Sequence, residues 1–196
     1  MLPLPIGGRV FPIISGLHLK FLKTITHAKE LNFHEEDVNA FVNTVAEVKD
    51  KKGCLLAQFP PSLKVSSINS LQNVIESLCK ATADEWRIAV EFRNASWYER
   101  EVYELLNEYN ITLVLHDIAA SATPLTTLIG SFVYLRFHGP EPRYRGDYAD
   151  EVLKKYAGQI SDWINDGNTV FVYFNNTMGN AVSNLQTLNS YVLERI

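Results

Sequence analysis

Residues 86–93 read Trp-Arg-Ile-Ala-Val-Glu-Phe-Arg, and residues 132–139 read Phe-Val-Tyr-Leu-Arg-Phe-His-Gly. Side chains alternate across an extended chain. In the first run Ala89, Glu91 and Arg93 share one face and Ile88, Val90 and Phe92 the other. In the second, Tyr134, Arg136 and His138 oppose Val133, Leu135 and Phe137. Each run has one uniformly apolar face and one that turns polar toward its C-terminal end. A central strand of an open α/β sheet is apolar on both faces. A strand whose outer face meets helices and whose inner face meets an axis reads as these two do.

Four more runs extend the pattern, at 18–25, 54–60, 111–117 and 169–176; in the last, Tyr173 and Asn175 oppose Val172 and Phe174. All six are short and rich in Val, Ile, Phe and Tyr, as strands are. Helical periodicity fills most intervals, with apolar residues spaced for one face over 35–51, 67–80, 97–109, 149–166 and 180–193. Asn32–Glu35 and Ser96–Glu99 have capping-box spacing, and Gly167 stands as a stop signal. The interval 118–131 is only weakly helical. Strand alternating with helix implies parallel strands and right-handed crossovers. The reading is α/β: an incomplete TIM (β/α)₈ barrel of six βα units, a single domain over 1–196.

Composition narrows the function. The 196 residues are 46% hydrophobic and 20% charged with a net charge of −4, an ordinary balance for a water-soluble domain that argues against a general nucleic-acid binder. No run approaches the ~18 apolar residues of a membrane span, and no signal peptide is legible in the first residues. Cys54 and Cys79 have no partner at metal-ligand spacing; two buried thiols are expected, in a reducing cytoplasm.

The strand ends resemble a known family, the YecE-like proteins, also called domain of unknown function 72. The matching strings are Lys20 with Ile25-Thr26-His27; Gln58-Phe59-Pro60-Pro61; Glu91-Phe92-Arg93 with Ser96-Trp97; and Asp117 with Pro124. Tyr134-Leu135-Arg136-Phe137-His138-Gly139 and Tyr173-Phe174-Asn175-Asn176 with Gly179 and Ala181 complete the series, in family order from residue 18 to the C-terminus. The resemblance implies a TIM barrel in which the six strands correspond to strands three to eight. The family's first two strands have no counterpart here, and Asn94 stands where the family usually has His. A native chain that starts further upstream is one expectation from this. Another is that two bare strand edges are covered by residues 2–14 or by a second subunit.

Chemistry concentrates at the polar tips. Glu91, His138 and Asp117 are the candidate catalytic residues. Lys20, His27, Arg93, Arg136, Gly139, Tyr173, Asn175 and Asn176 are the candidate binding residues. An arginine fork suits carboxylate or phosphate. A buried ion pair that merely holds the fold accounts equally well for Glu91 and Arg93. Asp117, sharing parity with Leu113 and Leu115, is expected to face the axis, leaving His116 half-buried on the outer side. If the last two strands are family strands seven and eight, their loops are expected to bind phosphate through backbone N–H groups and a helix N-terminus. Arg143, Tyr144 and Arg145 lie in one of those loops. Trp97, Tyr134 and Tyr173 serve either a pocket or a core.

The leading expectation is a protein acting on a small phosphorylated or carboxylated ligand, with Arg93 and Arg136 on the anion and Glu91 or His138 moving a proton. No cofactor is legible. One alternative is a metal-dependent phosphodiester hydrolase using Glu91, Asp117, His27 and His138, although no two of these stand at a recognised ligand spacing. The other is a non-catalytic binding protein.

Overall fold

The computed structural model describes residues 17–83, 85–125 and 128–196. The expectation that residues 2–14 cover a strand edge lies outside them.

Each of the six apolar runs holds a strand, but the run at 18–25 is extended only as far as Lys20 and turns helical over Lys23–Thr26, and the fourth is interrupted. The strands are β1 (Leu17–Lys20), β2 (Lys52–Phe59), β3 (Arg87–Phe92), β4 (Thr112–Leu113), β5 (Leu115–His116), β6 (Val133–Phe137) and β7 (Val170–Phe174). Every strand pairing is parallel, in the orders β1-β2-β3-β4 and β5-β6-β7. Val114 bridges the two sheets, its N–H donating to the Val90 carbonyl at 2.8 Å.

Helices follow the strands: α1 (Lys23–Thr26), α2 (Glu35–Ala46), α3 (Ile68–Thr82), α4 (Arg100–Glu108), α5 (Asp150–Asn165) and α6 (Ala181–Leu193). Gly167, with φ of 88°, follows α5 as its expected stop. Neither expected capping box forms. His34 and Glu99 occupy the N-cap positions of α2 and α4 without a side-chain bond. Asn94 takes the Ser96 N–H instead, and Ser96 Oγ accepts from Val65. Residues 118–125 and 128–131 hold no helix. No helix among the described residues is long and apolar enough to cross a membrane.

Alternation sorts the strand residues into separate cores. Leu55, Ala57, Phe59, Ile88, Val90, Phe92 and Leu113 pack outward with α2, α3 and α4. Leu115, Val133, Leu135 and Phe137 pack outward with α5 and α6. Cys54, Leu56, Ala89, Val114, Phe132, Tyr134 and Phe171 form a third cluster on the inner face. His18 of β1 lies 4.6 Å from Phe171 and 5.2 Å from Tyr173 of β7, ring centre to ring centre. The first and last strands therefore face one another across this inner cluster, and the parallel strands curve around it. Tyr134 and Tyr173, stacked at 4.9 Å, belong to this interior. Trp97 is core: fully buried, stacked on Phe92 at 4.6 Å, its Nε1–H donating to the Leu63 carbonyl.

Candidate functional site

The inner-face rows continue past the apolar cluster into charged residues. Register places Gln58 beside Glu91 and His116 beside Arg136. Glu91 is wholly buried and accepts from two guanidinium groups. Arg93 Nε donates to Oε1, and Arg136 donates to Oε2 at 2.5 Å. The Arg93 and Arg136 side chains are themselves only 10% and 12% exposed. Burial pushes the Glu91 pKa up, but Arg136 and Arg93 outweigh it, and the net displacement is downward. Glu91 is a fixed anion at neutral pH.

The network spreads from Arg93. Its second nitrogen reaches His138 Nε2 at 3.0 Å and Gln58 Oε1 at 3.5 Å. Lys20 Nζ donates to the same Gln58 oxygen at 2.8 Å. Burial, and then the Arg136 charge, lower the Lys20 pKa. Because arginine can only donate, His138 Nε2 must accept, which places the imidazole proton on Nδ1. That nitrogen lies 3.4 Å from Asp117 Oδ1 without hydrogen-bond alignment. Asp117 also accepts from the His138 backbone N–H at 2.8 Å and from the Tyr148 hydroxyl. Burial raises the Asp117 pKa, and the neighbouring His138 and Tyr148 groups bring it down further than that. A cavity of about 300 Å³ lies alongside, lined by His116, Asp117, Thr123, Arg136 and Tyr156 among others.

Lys20, Glu91, Arg93, Arg136, His138 and Asp117 thus come together, while other expected residues do not. His27 caps α1 with Nδ1 2.9 Å from Thr26 Oγ1; burial and then the Lys20 charge lower its pKa, and among the described residues no hydrogen bond joins it to the Glu91 network. Tyr173, the register partner of Arg136, stacks on Tyr134 against the aromatic interior and makes no hydrogen bond to Glu91 or its arginines among the described residues. Asn175 donates its backbone N–H to the Phe137 carbonyl at 2.6 Å, continuing the ladder at the end of β7.

The expected phosphate loops are otherwise engaged. The Gly139 N–H is taken by the Tyr148 oxygen at 2.6 Å. Asn176 is fully buried and ties loops together through Gly146 and Asn184. The start of α6 already holds a carboxylate: Asp147 accepts from the Asn180 backbone N–H at 2.8 Å and from its side chain at 2.7 Å. Asp147 thus supplies a negative charge at the positive end of the α6 dipole.

The parity read for His116 is also corrected. Leu113 and Leu115 pack outward, so Val114 and His116 point inward, and Asp117 lies just beyond the strand. His116 is buried, with Nε2 2.9 Å from the Phe92 carbonyl and 3.1 Å from the Tyr98 hydroxyl. Burial lowers its pKa to about 4 and pushes Tyr98 up to about 12. The structure adds Gln58, Tyr98 and Tyr148 to the site. Gln58 carried a signal, as the polar inner-parity residue closing an apolar strand. Tyr148 lies in an irregular loop and carried none.

The residues named as metal ligands do not form a cage. Both Glu91 oxygens are held by arginines, and among the described residues no three His, Cys, Asp or Glu side chains gather as an ion would require.

The fold and the site together define a parallel α/β protein whose strand C-termini carry a buried carboxylate set among cations. The chain belongs to the DUF72 family of proteins of unknown function, whose model matches residues 16–195. It is similar to the crystal structure of a DUF72 family protein from Thermotoga maritima, with 25% identity and a TM-score of 0.66, covering 91% of this chain and 74% of that one. It is similar in fold to a DUF72 family protein from Enterococcus faecalis, with 22% identity and a TM-score of 0.72, covering 87% and 75%. No curated protein matches the chain.

Proposed function

We propose that the chain is one domain, an incomplete (β/α)₈ barrel supplying strands three to eight, and that it acts on a small phosphorylated or carboxylated molecule at the C-terminal mouth. One observation carries this reading. Arg93 and Arg136 both bind Glu91, and Lys20 joins them through Gln58, so three cations stand against the two carboxylates Glu91 and Asp117 in an otherwise acidic protein. Like charges held this close repel, and an anion between them relieves the repulsion.

Arg136 and Lys20 take the anion, and Arg93 turns toward it from His138. Of the two candidate proton carriers, His138 fits. Both Glu91 oxygens are committed, whereas the acceptor nitrogen of His138 is covered only by Arg93. Asp117 takes the His138 backbone N–H and stands 3.4 Å from the protonated ring nitrogen, where its charge favours a proton on the ring. The test is calorimetric titration of the intact protein, in low salt, with inorganic phosphate and with small carboxylates. Arg136→Met and Lys20→Met are each expected to weaken binding about tenfold or more, as loss of a charged hydrogen bond does. Absence of binding by the unaltered protein, or binding by both variants as tight as that of the unaltered protein, overturns the reading.

A further inference from the structure

The loop between β6 and α5 spends unfavourable backbone conformation on holding one aromatic ring beside the site. Arg143 and Tyr144 are consecutive left-handed residues with φ of 64° and 62°. Side-chain-bearing residues seldom adopt this conformation, and seldom two in a row. Such geometry persists only where its surroundings impose it, and here they do. The Met178 N–H donates to the Tyr144 carbonyl at 3.1 Å, and the Glu141 N–H to the Arg145 carbonyl at 3.3 Å. Asn176 Nδ2 donates to the Gly146 carbonyl at 3.0 Å. The end of β6 presses on the loop so closely that a Cβ at Gly139 would stand 2.3 Å from the Arg145 oxygen.

These constraints hold Tyr144 with 43% of its surface exposed, its ring centre 5.6 Å from that of His138. Among the described residues its hydroxyl makes no hydrogen bond, so no polar partner accounts for its position. His138 in turn meets Arg93, which is bonded to Glu91. An exposed ring therefore stands at the rim of the cationic mouth, on a frame too tightly tied for a casual surface loop.

Resting on the anion site proposed above, we propose that Tyr144 is its specificity-determining residue. Its face packs against a planar unsaturated group on a ligand whose anionic end is held by Arg136, Arg93 and Lys20. The preferred substrate class is then an aryl or heteroaryl phosphate or carboxylate, in preference to a bare anion or an aliphatic one.

The probes are phenyl phosphate and inorganic phosphate, titrated into the intact protein and into the Tyr144→Phe and Tyr144→Leu variants. The expected result is tighter binding of phenyl phosphate than of phosphate by the unaltered protein and by Tyr144→Phe. Tyr144→Leu should weaken phenyl phosphate by about three- to tenfold, the scale of an aromatic pair, and leave phosphate unchanged. The ring protons of bound phenyl phosphate should move upfield in NMR spectra, and that displacement should vanish in Tyr144→Leu. Equal affinity for the two probes, or parallel weakening of both in Tyr144→Leu, overturns the role of Tyr144 and leaves the anion site standing. Failure of the unaltered protein to bind either probe overturns both.

Discussion

Replacing Glu91 with Gln is the most direct perturbation of the inner network. The change is nearly isosteric and removes a single negative charge. It strands two guanidinium groups whose side chains are only 10% and 12% exposed. A Gln amide still accepts from one of them, but its NH₂ faces the other, donor against donor. Removing one partner of a buried ion pair costs about 3–5 kcal/mol. The slight exposure of both arginines offers little relief through water. At about 2–4 °C per kcal/mol for a domain of this size, the melting temperature should fall by about 6–20 °C near neutral pH.

The pH dependence sharpens this. The folded-state pKa of Glu91 lies below its ordinary value of 4.5. Its contribution is therefore fully present above 4.5 and is lost as pH falls through the depressed folded value. The gap between Glu91→Gln and the unaltered protein should be constant near neutrality and narrow only in strong acid. With the internal anion gone, added phosphate should raise the melting temperature of Glu91→Gln more than that of the unaltered protein. Thermal melts across pH, with and without phosphate, measure all three effects. A variant that melts within about 2 °C of the unaltered protein near neutral pH would refute the premise that the carboxylate holds the arginines in place.

His116, whose pKa falls from 6.5 to about 4, favours the neutral ring in the fold. Its stabilisation is present above 6.5 and drains away as pH drops toward 4, so His116→Gln should flatten the stability profile in that window; an unchanged profile would show that the buried imidazole is not its source. The edges of β1 and β7 carry no partner strand among the described residues, and Leu17, Leu22, Val182, Leu185 and Leu193 are exposed on the flanking elements. A second copy covering this surface is expected to make the protein sediment as a concentration-dependent dimer, and Leu185→Glu should shift it toward monomer; a monomer at every concentration would count against that cover.

How much of this could be read from residues alone depended on whether the governing contact was local. Alternation within one strand is local, and it put Glu91 with Arg93, and Arg136 with His138, on shared faces. It could not say that Arg136 reaches Glu91, since that contact depends on how far the parallel strands curve between β3 and β6. Strand 111–117 failed for a different reason. Leu113 and Leu115 on one parity and Val114 on the other are all apolar, so the pattern did not identify the inner face. Asp117 lies past the strand, where parity no longer governs, so its charge does not mark which face of the strand turns inward. At the expected phosphate loops, the sequence shows donors at Gly139, Asn176 and the start of α6 but not the partners that hold them. Tyr148, Gly146 and Asp147, all from one irregular loop without periodicity, had already claimed those groups. That same loop carries Tyr144. The segment in which pattern reading is weakest therefore engages the donors of the expected phosphate loops and sets an aromatic ring beside His138, next to the cluster of Lys20, Arg93 and Arg136.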